Sequence, residues 1–541
     1  MKNKSISQKI ILDGHKLTPK EVVQIGKNKA KVSIPKSALK RVDSGYKLLI
    51  KAAEAGQKIY GLTVGVGENK DRTILKNGKL TDEAIDYSKQ FNRALIRVTS
   101  AGVGPEMEPE MVRAIMASRL NSILYGSTGA RKKVAELYRD FLNHDIVPVI
   151  PGRGSMGEAD ITLIIHIGLA MIREGQVIYK GKRMSAKKAL KHAGIKPLDP
   201  WAKDALAIMS SNGYSEALGA FCLTELQHLL QISKLVFCLN LEALNGNITP
   251  FLEHTNKVRP FKSVNKVSKE YRKILKGSYL WSANKKRHLQ DPLSYRTSAY
   301  TVGAVESTLN ELIDQMAIQL NSSDDNPMVL LGVNSPSKKE EVKKHYVKKS
   351  AASKIYGAVI PSANFSPWPW VLSFEKLGIA LGHLSIASAQ RTIKLSDPRF
   401  TELSRFLGTK KNFHAYGAVQ KVFVSLAAEN KEMAFPVSMD FFAVAGDIED
   451  MGTNGPRVVR RNRKIIDNCY YILGLELMHA AQAIDLRMKA KPKLKLSPVT
   501  KSFFKAFRKK VSFMKKDRVL TTDIANSYSF LKNYTFKRKK K

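Results

Sequence analysis

Apolar residues recur at helical spacing along most of this chain. The pattern predicts helices over 36–56 and 106–125, then a mostly apolar helix over 161–174. Longer amphipathic stretches follow over 215–243, 299–320, 371–393, 416–434 and 456–488. The 161–174 run is apolar on nearly every face, which only a deep core tolerates. Two strand-like pieces, KIILDG and KAKVSI, stand near the start. Helices of this length stack as a bundle. The expected fold is mainly α: a mixed α/β domain over 1–150, a long central helical bundle over 151–490, and a basic helical tail over 491–541. No internal repeat is visible. Loops rich in Gly, Pro, Ser and Asn (SSNGYS, NSSDDNP, PSANFSPWPW, AGDIEDMGTNG) interrupt the bundle. Polar loops between apolar helices are where function concentrates.

Composition narrows the class. At 43% hydrophobic and 25% charged residues, the 541-residue chain is globular rather than disordered. No apolar run approaches the roughly 18 residues of a membrane span. The start, MKNKSISQKIILDGHKL, lacks the apolar stretch of a secretion signal, so a cytoplasmic protein is expected. Lys and Arg number 90 against 47 Asp and Glu, a formal charge of +43. Such a charge attracts nucleic acid or anionic membrane. The lysines are spread along the chain, however, and their short clusters (338–349, 505–516, KNYTFKRKKK) carry no zinc-finger or aromatic RNA-binding pattern. A lysine-rich background is the preferred reading, and no nucleic-acid or membrane partner is expected. Cys222, Cys238 and Cys469 have neither metal nor disulfide spacing; they read as buried thiols in a reducing compartment, with no metal site.

Nine segments then occur in a telling order: 59-IYGLTVGVG-67, 101-AGVGPEM-107, 121-NSILYGSTGAR-131, 154-GSMGEAD-160, 289-LQDPLSYR-296, 321-NSSDDNP-327, 363-ANFS-366, 428-AENKEMAFPVS-438 and 447-DIEDMG-452. Together they resemble the histidine and aromatic amino acid ammonia-lyases over roughly residues 8–490. The resemblance implies a homotetramer whose sites borrow residues from more than one subunit. It implies elimination of ammonia from an amino acid to give an α,β-unsaturated acid. Family members use 4-methylidene-imidazol-5-one, an electrophile made from an Ala-Ser-Gly triplet within G-S-x-G-A-S-G-D-L. Here the string is Gly154-Ser155-Met156-Gly157-Glu158-Ala159-Asp160-Ile161, one residue shorter. No serine follows Gly157 to dehydrate and no glycine supplies the cyclising amide, so the electrophile is expected to be absent.

Other family positions remain. Tyr60 matches the tyrosine that takes the β-proton, a role that needs a depressed phenol pKa; otherwise it is a loop-packing residue. Arg296 matches the arginine that grips the substrate carboxylate, a task suited to a planar fork, against the alternative of a structural ion pair. Leu293 replaces a family tyrosine, with Tyr295 two places on as a possible proton-handling substitute. Asn326 and Asn364 match polar substrate loops, and Phe365 follows Asn364 as in the family. Asn212 or, by ungapped alignment, Ser210 stands where an amide contacts the electrophile. Glu449 matches a glutamate typical of histidine-specific members; a helix-cap acid is the bland reading. Thr99 occupies a selector position before AGVG. Trp368 and Trp370 flank one proline beside the substrate loop, either as a cation-binding pair or as packing. Glu375 lies close by, with Lys376 beside it.

These departures share a chemical logic. The electrophile activates a poor leaving group. A trimethylammonium group is permanently charged and leaves as a neutral amine, so it needs no such help. The leading expectation is a cofactor-free carbon–nitrogen lyase acting on an ergothioneine- or hercynine-type betaine, in the manner of ergothionases, with Glu158 and Asp160 complementing the ammonium in the vacated electrophile loop. A conventional ammonia-lyase or aminomutase on His, Phe or Tyr, a non-catalytic binding relative and a nucleic-acid binder stay open.

Overall fold

The structure, a computed structural model, describes residues 9–71, 81–350 and 354–536. The chain divides into two compact units. The first takes Met1–Thr224, Ile313–Leu372 and Val437–Val459; the second takes Glu225–Leu312, Ser373–Pro436 and Arg460–Lys541. Four long helices, Gly213–Leu244, Ser298–Leu320, Trp368–Leu395 and Gly455–Ala490, contribute residues to both. All four coincide with amphipathic stretches legible in the sequence.

In the first unit, Ile10–Ile11 pairs in parallel with Val32–Ser33, which places the two strand-like pieces side by side. Leu48, Leu49 and Ala52 of the Lys36–Glu54 helix pack with Val329 and Val359 of a small antiparallel sheet. The Pro109–Tyr125 helix is buried on almost every face, and Gly126 ends it in the left-handed conformation. Its Arg119, fully buried, lies 3.1 Å from both Asp324 and Asp325. Lys203, equally buried, stands 3.6 Å from Asp325. Burial of so many charges is tolerable only because they pair. The Ile161–Met171 helix is the deep-core helix its composition required.

In the second unit, Glu476 organises the core. Its carboxylate takes Arg391 Nε at 2.6 Å and Nη2 at 2.9 Å, and Asn240 Nδ2 at 2.7 Å. Beyond residue 490, the Pro498–Arg508 and Thr521–Lys532 helices are amphipathic, and they bury Phe503, Phe507 and Leu531 within this unit. The basic C-terminal region is therefore part of a packed core. Among the described residues, no helix is long and apolar enough to cross a membrane.

Candidate active site

The glycine-rich turn before the deep-core helix is held from below. Asp160 is fully buried, and its carboxylate accepts from Ser155 Oγ at 2.6 Å, Ser215 N–H at 2.8 Å and Ser215 Oγ at 3.2 Å. Its own N–H donates to the Ser211 carbonyl at 2.7 Å. Burial raises its pKa to about 6, and these donors restrain the rise. Asp160 thus anchors the loop to the start of the Gly213–Leu244 helix and turns away from the cavity above. This corrects the expectation that it complements a substrate: all its acceptor capacity is spent on the loop. Gly157 closes the turn at φ 90°, where a Cβ would meet Thr453 Oγ1 at 2.5 Å and Gly455 N at 2.6 Å. Gly157→Ala should therefore cost about 2–3 kcal/mol of stability through left-handed strain plus overpacking, read from urea unfolding.

Above this loop lies a cavity of about 450 Å3 built entirely from the first unit. Tyr60, Glu158, Ala159, Asn326, Phe365, Trp368 and Glu449 line it. Seven candidates dispersed over 390 residues of sequence thus converge. Lys70, Ser210, Asp450 and Met451 join them, together with Ser366. Ser210, not Asn212, faces the space, as the ungapped alignment has it. Asn212 is buried: its Oδ1 accepts from the Ala159 N–H at 3.1 Å and its amide donates to the Phe365 carbonyl. It ties the electrophile loop to the substrate loop with both ends of its amide.

The remaining candidates lie elsewhere. Trp370 is 2% exposed and donates its indole N–H to Gln319 Oε1 at 3.1 Å, so the tryptophans are not a pair. Asn364 is exposed and Thr99 ends the Asp82–Thr99 helix; neither lines the cavity. Tyr295 is fully buried in the second unit, its hydroxyl 2.7 Å from Asn240 Oδ1, and burial drives its phenol pKa well above normal. A phenol locked in a core network cannot exchange protons with a substrate. Arg296 lines a separate cavity of about 360 Å3 with His288, Gln290, Asp291 and Arg399, and its Nε has no protein partner among the described residues. Glu375 is buried, and Lys376 pairs with Glu311 at 2.6 Å; neither lines the Tyr60 cavity.

The electrostatics of the Tyr60 cavity run against the whole chain. Among the described residues, three carboxylates, Glu158, Glu449 and Asp450, line the cavity with one cation, Lys70, which lies 3.4 Å from Asp71. Glu158 forms no ion pair among the described residues; Ser366 Oγ at 3.5 Å is its hydrogen-bond donor. Burial raises its pKa to about 7 and also raises that of Glu449. The Tyr60 phenol is pushed up by burial and by the Glu449 charge, and held down by the Gly67 N–H that donates to it at 2.8 Å. Such a half-buried, uncompensated carboxylate favours a cationic ligand.

Comparison with known proteins gives this geometry its context. A model of the aromatic amino acid lyases matches residues 17–509. The chain belongs to the aromatic amino acid lyase family. It is an enzyme of the carbon–nitrogen lyase class, with the family's mainly helical, histidine ammonia-lyase-like fold. It is 29% identical to a histidine ammonia-lyase of Alkaliphilus metalliredigens over 96% of this chain and 95% of that one. Among solved structures, an ergothioneine-degrading ergothionase from Treponema denticola, in complex with desmethyl-ergothioneine sulfonic acid, is 38% identical. That alignment covers 97% of this chain and 99% of that one, with a TM-score of 0.86. A tyrosine aminomutase from Streptomyces globisporus is 26% identical over 97% of both chains, with a TM-score of 0.84.

The residues present do not fit the electrophile typical of the family. Glu158 and Ala159 alone separate Gly157 from Asp160, so no hydroxyl is available for dehydration. The Ala159 amide is already committed to Asn212. The wall that would carry an electrophile carries a carboxylate.

Proposed function

We propose that this lyase eliminates trimethylamine from a histidine-derived betaine of the ergothioneine or hercynine type, without a protein-derived electrophile. One observation carries the reading: Glu158, in the segment that matches the family's electrophile loop, lines the cavity with no ion-pair partner among the described residues. A primary ammonium can shed protons and leaves poorly. A quaternary ammonium is a fixed cation that Glu158 complements, with the Trp368 and Phe365 rings as its apolar wall.

In this mechanism Tyr60 removes the β-proton as a phenolate. The C–H electron pair becomes the new double bond, the Cα–N bond breaks, and trimethylamine departs neutral. The substrate's own cation supplies the positive charge the phenolate requires, and Lys70 lines the same cavity. Glu449 contacts the imidazole-type ring, whose delocalisation accepts developing charge. Asn326, Ser210 and Ser366 bound the space. Arg296 holds the carboxylate from a second copy of the chain in a homotetramer, since it lies outside this cavity in its own chain. The similarity to an ergothionase at 38% identity supports the substrate class; the 29% likeness to histidine ammonia-lyases keeps ammonia elimination from histidine as the rival.

A screen of ergothioneine, hercynine, histidine, phenylalanine and tyrosine, followed through the absorbance of the conjugated acid, separates the two. A signal with the betaines alone is expected. A signal with a free amino acid at similar rate would overturn the proposal, and silence throughout would favour a binding relative.

A further inference from the structure

The second unit holds a larger cavity, about 1070 Å3, that elimination does not use. The C-terminal ends of the Gly213–Leu244 and Gly455–Ala490 helices meet it at Asn245 and at Arg487 and Ala490. The 277–286 and 491–495 segments and Glu402 and Leu403 complete the wall. Five cations line it: Lys286, Arg487, Lys491, Lys493 and Lys495. They face one carboxylate, Glu402, which lies 3.4 Å from Lys286.

The other four cations have no carboxylate within ion-pair distance among the described residues. Arg487 is half-buried, and its guanidinium donates to the carbonyls of Ala243 at 2.6 Å, Leu244 at 2.9 Å and Thr401 at 2.8 Å. These dipoles offset part of one charge only. Chain-wide basicity does not fix the sign of every cavity: among the described residues, three carboxylates and one lysine line the smaller Tyr60 cavity. Lys286, Lys491, Lys493 and Lys495 stand exposed around a concave space, and like charges gathered there repel one another unless an anion enters. Ser282 adds a hydroxyl to the wall, whereas the Ser278 hydroxyl is engaged by Glu242 and the Asn284 amide donates to Asn245 Oδ1 at 3.1 Å. A volume at the upper end of small-molecule sites and three lysines with no carboxylate partner among the described residues, Lys491, Lys493 and Lys495, suit a ligand with several phosphate groups.

We propose that this cavity is a binding site for a small polyphosphate-bearing anion, separate from the elimination site.

The test uses the full-length protein, titrated calorimetrically with ATP and with inorganic tripolyphosphate, without magnesium, at fixed ionic strength. A triple variant, Lys491→Ala with Lys493→Ala and Lys495→Ala, removes three cavity charges. A second triple, Lys509→Ala with Lys510→Ala and Lys515→Ala, removes three lysines that do not line it. The expected result is saturable binding of one anion per chain, weakened at least tenfold in the first triple and unchanged in the second. Betaine turnover should stay unaltered in both, so failure here is distinguishable from failure of the proposed function. Equal weakening in both triples would show diffuse attraction and overturn the site, as would no saturable binding at millimolar anion. Preference for a single-stranded oligonucleotide over ATP, lost equally in both triples, would also overturn it in favour of a nucleic-acid surface.

Discussion

Glu158→Gln lowers kcat/KM for a histidine-derived betaine by about 100- to 1000-fold, the scale on which a pre-placed charge complement acts in a water-poor site. Shape is preserved and the charge alone is lost. The pH dependence provides an independent readout. Burial lifts the Glu158 pKa to about 7, and the ionised form is the one that complements a cation. Activity of the free enzyme therefore rises with pH through about 7, and the glutamine variant lacks that limb. Stability runs the other way. A carboxyl whose folded pKa is raised stabilises the fold when protonated, and that contribution disappears as pH rises through about 7. Relative to the parent, Glu158→Gln should gain thermal stability between pH 5 and pH 8. Lower turnover with unchanged pH behaviour would deny Glu158 its electrostatic role.

Tyr60→Phe produces the other large effect, a loss of about 10³- to 10⁴-fold in kcat with betaine affinity retained. The only atom removed is the hydroxyl, which the Gly67 N–H orients at 2.8 Å. Burial and the Glu449 charge keep this phenol protonated in the free enzyme. Turnover therefore has an alkaline-rising component in the parent that the variant loses. Glu449→Gln, which removes the neighbouring negative charge, should move that component to lower pH. A Tyr60→Phe enzyme that keeps a tenth or more of parental kcat would place the base elsewhere.

Helical periodicity alone located the long helices and the deep-core helix, because burial of one face or of every face leaves a direct mark on composition. Motif order located Tyr60, Glu158, Asn326, Phe365 and Glu449, which the fold gathers at one cavity. What sequence could not resolve is side-chain direction. The Trp368–Leu395 helix begins at Trp368 rather than three residues later. Residues two apart on a helix do not face the same way. Trp368 therefore meets the cavity while Trp370 enters the core. Tyr295 and Arg296 diverge for the same reason on their single turn, one into a buried network and one into a second cavity. Lys70 carried no signal, being one of many lysines in a lysine-rich chain. The family resemblance placed Asn212 as an amide contacting the electrophile and Asp160 in the vacated electrophile loop. In the fold their hydrogen bonds pin that loop.

In the proposed mechanism a carboxylate takes the place of an electrophile because the leaving group is already a cation. This is tested most directly by quantifying the released amine. Purified protein is incubated in parallel with ergothioneine, hercynine and histidine, and trimethylamine and ammonia are measured against the unsaturated acid formed. Trimethylamine in one-to-one ratio with product from a betaine, with no ammonia from histidine, is the predicted result. Ammonia released from histidine at a rate comparable to either betaine would contradict it.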